Sequence, residues 1–167
     1  MMFEFQRTFD YALVRAIVTR PDIYPYLTSD GAPSAETFRV PEGDWNWYVL
    51  VRGGGEVDEP AGYQRGEDSI LGLFWLVPYN AVCWEVHTCF LPALRGARAI
   101  RAYREGCEWL WRNSPCRKTI GNIPEYNRAA LAVALRAGAH IIGINRKSLL
   151  KDGRLIDQTI VGKGIED

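Results

Sequence analysis

The segment Ser69–Val77, SILGLFWLV, constrains the fold of this chain more than any other. It is apolar almost without interruption, as a central strand must be. Neither it nor any other stretch reaches the roughly 18 consecutive apolar residues of a membrane span. Pro78, Tyr79 and Asn80 turn the chain, and Ala81–Leu91 reads as the next strand. Trp45–Arg52 reads as the strand before, separated by RGGGEVDEPAGYQRGED, which can only be turn and loop. The middle of the chain is therefore expected to be an antiparallel meander.

Around that meander, helical and extended patterns alternate. Phe3–Arg7 alternates like a short edge strand, and Asp10 can cap a helix to about Arg20, stopped by Pro21. Phe9, Leu13, Ala16 and Ile17 form its expected apolar stripe. IYPYLTSDGAPSAETFRVPEGD reads as a long loop or broken helix anchored by Tyr24, Tyr26 and Leu27, too aromatic for a solvated linker. After Pro92 a helix is expected from Gly96 to Asn113, with Ile100, Tyr103, Cys107, Leu110 and Trp111 on its apolar face. A strand over Arg117–Ile123 follows, then a helix over Tyr126–Ala137 that stops at Gly138. His140–Asn145 and Gln158–Val161 read as closing strands around a turn at Lys151–Arg154. That order marks a single α/β domain with a mixed sheet.

Composition narrows the function. Twenty basic residues balance twenty acidic ones, so no overall charge draws the 167-residue chain to nucleic acid or a membrane surface. The N-terminus lacks the features of a signal peptide. Cys83, Cys89, Cys107 and Cys116 form no CxxC pair and read as free thiols in a reducing cytoplasm. Along the strand that ends near Leu91, Cys83, Glu85, His87 and Cys89 share one face. A polar row in a buried strand asks for a partner or a task. Residues two apart on a strand lie roughly 6–7 Å apart, long for adjacent metal ligands, so no metal site is expected.

Two local signatures then narrow the fold. CFLPALRGARAIRAYREGCEWLW places Pro92, Arg95 and Gly96 between a strand and a helix start, where backbone N–H groups and the helix dipole can hold a pyrophosphate. IPEYNRAALAVALRAGAHIIG carries Asn127, Ala130 and Gly138 from the start of a helix to its end. Together, in this order, they resemble the two main motifs of the GNAT N-acetyltransferase superfamily. The resemblance implies a mostly antiparallel mixed sheet of about six or seven strands flanked by helices. It further implies residues 1–67 on the acceptor side and 68–167 as the cofactor-binding core. It places acetyl-CoA along Phe90, Leu91, Arg95, Gly96, Ala97, Arg98, Ala99, Ile100 and Asn127. Glu85 or His87 would be the general base for an amine acceptor, or alternatively a hydrogen-bonded pair that fixes the strand.

The sequence departs from that pattern twice. Arg98 stands where the family turn has a second small residue, and its guanidinium could instead supply charge to a phosphate. Ala134 stands where many active members have a Tyr that protonates the leaving thiolate. DIYPYLTSDGAP, EVH, LPALRG, IGNIPEYN and KDGRLIDQTIVGKG also resemble a phage and prophage GNAT-like family that includes head-assembly proteins of short-tailed phages. That resemblance implies expression in a bacterial cytoplasm, with phage structural proteins as partners and virion association as an alternative to catalysis.

Overall fold

The computed structural model describes residues 3–53 and 69–167. The segment read as turn and loop after Arg52 lies almost entirely outside them. Seven strands form one sheet: β1 (Glu4–Thr8), β2 (Trp47–Gly53), β3 (Ser69–Pro78), β4 (Cys83–Phe90), β5 (Lys118–Pro124), β6 (His140–Lys151) and β7 (Arg154–Gly164). Their order is β1-β2-β3-β4-β5-β7-β6. Every pairing is antiparallel except β4–β5. The apolar run at Ser69–Val77 lies between β2 and β4, as a strand without a polar face should.

The helices cover both faces. α1 (Tyr11–Val18) and the short α2 (Tyr24–Leu27) lie on one side, with α3 (Ala97–Asn113) on the other. Asp10 caps α1, its Oδ1 accepting the Leu13 N–H at 3.0 Å. The face that α1 buries is Val14, Ile17 and Val18, whereas Phe9 and Ala16 are exposed. This corrects the expected stripe. Only Ile17 of the expected set is fully buried, because the helix rests on the sheet one position further round. Trp45 is likewise exposed and outside β2, which begins at Trp47.

The loop between α2 and β2 is ordered by side chains that satisfy its carbonyls. The Arg15 guanidinium donates to the carbonyls of Ala35, Glu36 and Phe38. Tyr24 and Tyr48 donate to those of Pro33 and Pro41, both at 2.7 Å. Pro33, Pro41 and the polar run thus sit against the sheet without a backbone ladder of their own.

α3 packs Tyr103, Cys107 and Leu110 onto Phe74, Trp84 and Val86 of β3 and β4. Each large apolar side chain so buried stabilises the fold by about 1.5–3 kcal/mol. Gly106 lets the helix approach closely, since a Cβ there would meet Phe74 Cε2 and Cζ at 2.7 Å. α4 (Arg128–Arg136) begins at Asn127 and ends before Gly138, whose φ of +97° suits glycine. β6 and β7 are much longer than expected and meet at Asp152-Gly153, where both φ angles are positive, as a two-residue hairpin turn requires.

Gly106→Ala tests the α3 contact. Overpacking against the Phe74 ring should lower unfolding stability by about 1–3 kcal/mol in urea titrations, despite alanine's better helix propensity.

Candidate functional site

The parallel pairing of β4 with β5 covers only Cys83–Lys118, Trp84–Thr119 and Glu85–Ile120. Main-chain groups alternate sides along a strand. Leu91 N–H donates to Leu71 O on β3 at 2.9 Å, while Val82 O accepts Lys118 N–H on the β5 side at 3.0 Å. The even-numbered residues of β4 therefore turn their N–H and C=O toward β5. Beyond Glu85, Thr88 and Phe90 have no register partner there, so their main chains face a gap.

The opposite wall is built the same way. Arg117 O accepts from Ile165 and Glu125 N–H donates to Asp157 O, which assigns the odd residues of β5 to β7. Asn122 and Pro124 face the gap. Proline is tolerated at that position because no neighbouring strand needs its N–H.

At the head of the gap, a short 3-10 turn (Pro92–Leu94) leads to Gly96, the N-cap of α3. Gly96 has φ 64° and ψ −135°, a region open to glycine, and a Cβ there would meet nothing within 4 Å. No side chain caps α3, whereas Asp10 and Asn127 cap α1 and α4. Gly96 offers no side chain to accept the first-turn N–H groups of α3. Arg95 beside them is exposed and ion-paired to Asp22 at 3.0 Å, and Asp22 also holds Arg20 at 2.9 Å. Burial alone would raise the Asp22 carboxyl, but the two arginines outweigh it and hold it below its ordinary value.

Where the gap begins, polar side chains converge on the α1 face of the sheet. Asn80 Oδ1 accepts the N–H groups of Val82 and Cys83, which fixes the β3–β4 turn. From that turn the Tyr79 hydroxyl donates to Glu85 Oε2 at 2.9 Å. Asn122 Nδ2 donates to Glu85 Oε1 at 2.9 Å across the β4–β5 boundary. His87 Nε2 lies 3.9 Å from the same oxygen, its ring 5.5 Å from that of Trp75. Burial pushes the His87 imidazole down, and the Glu85 carboxylate only partly opposes this, so His87 is neutral at pH 7. Burial of the Tyr79 phenol, together with the Glu85 carboxylate it bonds, raises it above its ordinary value.

The expected site residues fall into two groups. Glu85 and His87 are brought together on one face, as their spacing implied. Phe90 borders the gap, with Arg95, Gly96 and the start of α3 at its head; Ala99 is buried. Leu91 N–H is used within the sheet and its side chain is buried. Ile100 packs against the core, and Arg98 is half-buried. Asn127 Oδ1 accepts the Ala130 N–H as a helix cap at 3.2 Å. Ala134 is buried against Val161 and Ala139. Tyr79 and Asn122 were not foreseen. Asn122 left one signal, a polar side chain inside an apolar strand. Among the described residues no three His, Cys, Asp or Glu side chains cluster as metal ligands, and no helix is long and apolar enough to cross a membrane.

The two halves of the sheet are also tied on the α1 side. Asp30 accepts the N–H groups of Asp152 and Gly153 at 2.9 and 2.7 Å. Lys151 Nζ donates to the carbonyls of Pro25 and Thr28. Tyr26 and Tyr126 meet beside this latch, with ring centroids 6.2 Å apart. The two backbone bonds hold the Asp30 carboxyl below its ordinary value. Its contribution is therefore present above about pH 3.9, the unfolded Asp value, and is lost as pH falls through the lower folded value. Asp30→Ala should lower the melting temperature at pH 7, and the difference from wild type should vanish near pH 2.

No protein-family model matches the chain, and no curated protein matches it. Solved structures do. The spermidine N-acetyltransferase from Vibrio cholerae, in complex with CoA and spermine, superposes with a TM-score of 0.71 at 12% identity, over 98% of this chain and 96% of that one. A GNAT-family acetyltransferase from Streptococcus pneumoniae gives 0.68 at 14% identity, over 98% and 100%. The microcin C7 self-immunity acetyltransferase, in complex with acetyl-CoA and AMP, gives 0.55 at 14%, over 72% and 62%. A seven-stranded mixed sheet, mostly antiparallel and flanked by helices, with a gap beside its one parallel pair, gives this chain the GNAT acetyltransferase fold.

Proposed function

We propose that the chain is an acetyl-CoA-dependent N-acyltransferase whose thioester lies in the gap between β4 and β5. The observation that carries this reading is the gap itself: Thr88 and Phe90 turn main-chain groups toward it that have no register partner on β5, and the start of α3, with no side-chain cap from Gly96, stands at its head. The residues present fit the ligand. Gly96 leaves the approach to the α3 N-terminus open, and its N–H groups and dipole favour a pyrophosphate. Arg95 supplies adjacent positive charge. Binding of CoA or acetyl-CoA by proteins of this fold supports the same assignment.

When bound, acetyl-CoA supplies an acyl group already activated as a thioester. The Thr88 and Phe90 main chains would hold its amide-bearing arm as a neighbouring strand would. Glu85 or neutral His87 would take a proton from the acceptor amine as the C–N bond forms and the C–S bond breaks. The thiolate can take up its proton from water, because Ala134 has none to give. The acceptor amine reaches the gap from the α1 side, where Glu85 and His87 face and where the Asp30 latch and the Tyr26–Tyr126 pair frame the entrance. A phage or prophage gene expressed in a bacterial cytoplasm is consistent with the sequence resemblance.

A second reading, a non-catalytic assembly protein of phage heads, is favoured by two observations. Ala134 replaces a proton donor with a buried methyl group, and edge strand β6 exposes Ile141, Ile142 and Ile144. Calorimetric titration separates the readings. Acetyl-CoA should bind the wild-type chain, and Gly96→Ala should weaken binding about tenfold by forcing a side chain into a glycine-only conformation costing roughly 1–3 kcal/mol. No heat at millimolar acetyl-CoA would sink the enzyme reading. In an active protein Glu85→Gln should lower turnover by about 10²-fold or more; a change within about twofold removes Glu85 from the mechanism.

A further inference from the structure

We propose that Tyr79 and Asn122 are positioning residues that clamp the Glu85 carboxylate from both sides of the β4–β5 boundary, and that Glu85 rather than His87 is the proton acceptor. The inference rests on the acyltransferase reading and adds to it the identity of the base and of the groups that aim it.

The clamp has one donor per oxygen. Tyr79 holds Oε2 and Asn122 holds Oε1, each at 2.9 Å. A carboxylate offers roughly four lone-pair directions, so a direction on each oxygen remains for an amine proton. The two donors come from separate elements. Tyr79 stands on the β3–β4 turn, which Asn80 fixes through two backbone bonds. Asn122 stands on β5, two residues beyond Ile120, the last β5 residue paired with β4. With donors on either side, the carboxylate plane is set relative to the mouth of the gap rather than free to rotate.

Among the described residues His87 has no comparable pair of hydrogen bonds. Its Nε2 lies 3.9 Å from Glu85 Oε1, beyond hydrogen-bond range, and its ring rests against Trp75. Glu85, held by one donor on each oxygen, has the fixed orientation that His87 lacks. A carboxylate so placed accepts a proton from the amine and stays hydrogen-bonded to Tyr79 and Asn122 in either state. Tyr79 also takes over no proton-donor role, since its hydroxyl hydrogen is committed to Glu85.

The test is a double-mutant cycle with an activity-independent arm. Tyr79→Phe and Asn122→Ala should each lower kcat about ten- to hundredfold, with KM for acetyl-CoA unchanged within about twofold and melting temperature retained. In a Glu85→Gln background neither change should lower kcat further, because both act through the carboxylate. His87→Gln should leave more activity than Glu85→Gln. Losses that add in the Glu85→Gln background, or a larger loss from His87→Gln, overturn the proposal. The second arm follows Tyr79 ionisation by ultraviolet absorbance, as the difference between wild type and Tyr79→Phe. Besides Glu85, Cys83 is the other titratable group acting on Tyr79, so the titration is repeated with Cys83→Ser. Glu85→Gln should move the Tyr79 transition to lower pH; an unmoved transition overturns the clamp whether or not the protein is active. Wild-type protein that transfers no acyl group, while the titration responds as expected, overturns the function and leaves the Tyr79–Glu85 contact standing.

Discussion

Three residue pairs join the two halves of this sheet. Cys83, Trp84 and Glu85 meet Lys118, Thr119 and Ile120, and among the described residues no other strand pairing links β1–β4 to β5–β7. So short a parallel ladder does not hold two antiparallel blocks by itself. α3 reinforces it from one side, where Thr119 meets Cys107 and where Trp84 and Val86 meet the helix. The Asp30–Lys151 latch reinforces it from the other. The sheet can open beyond Glu85 because its two faces, rather than its ladder, carry the connection.

Every element of the candidate site takes its position from that join. Glu85 is the last residue of β4 with a partner on β5, and Asn122 lies just past the last residue of β5 with a partner on β4. Their hydrogen bond spans the first step of the divergence. Further along, the ladder alternation that commits Leu91 to β3 is the same alternation that releases Phe90 and Thr88 toward the gap. The Pro92–Gly96 connection then turns the chain so that α3 begins where β4 ends. Asp22 adds a constraint of its own. It ties Arg95 to the α1–α2 connection, so the head of the gap and the acceptor side share a charged contact.

Much of this architecture was legible in local pattern. Ser69–Val77 announced a central strand, Asp10 and Asn127 announced caps, and Gly138 announced a helix end. Other features needed the third dimension. Val14 and Val18 compete with Phe9 and Ala16 for the buried face of α1, and only the sheet beneath decides between them. Arg146–Ser148 breaks the apolar pattern of β6 because the strand carries an irregularity between Asn145 and Leu149, with Lys147 at φ 48°. The closing strands therefore looked shorter than they are. Within the site, Glu85 and His87 stood out as polar residues in an apolar strand. Tyr79 read only as part of a turn, and its bond to Glu85 depends on how Asn80 folds that turn. Asn122 is 37 residues from Glu85, a distance that no periodicity reports.

The latch also bears on how the chain assembles. Asp30 meets Asp152 and Gly153 across separations of 122 and 123 residues in a chain of 167. Contacts so remote in sequence bring their reward only after the intervening loop has been closed. The meander and the final hairpin are local and can form without the latch, whereas the latch needs both already in place. Its formation therefore belongs to the late, native side of the folding barrier. A change at Asp30 should act on the unfolding rate and leave the folding rate nearly untouched.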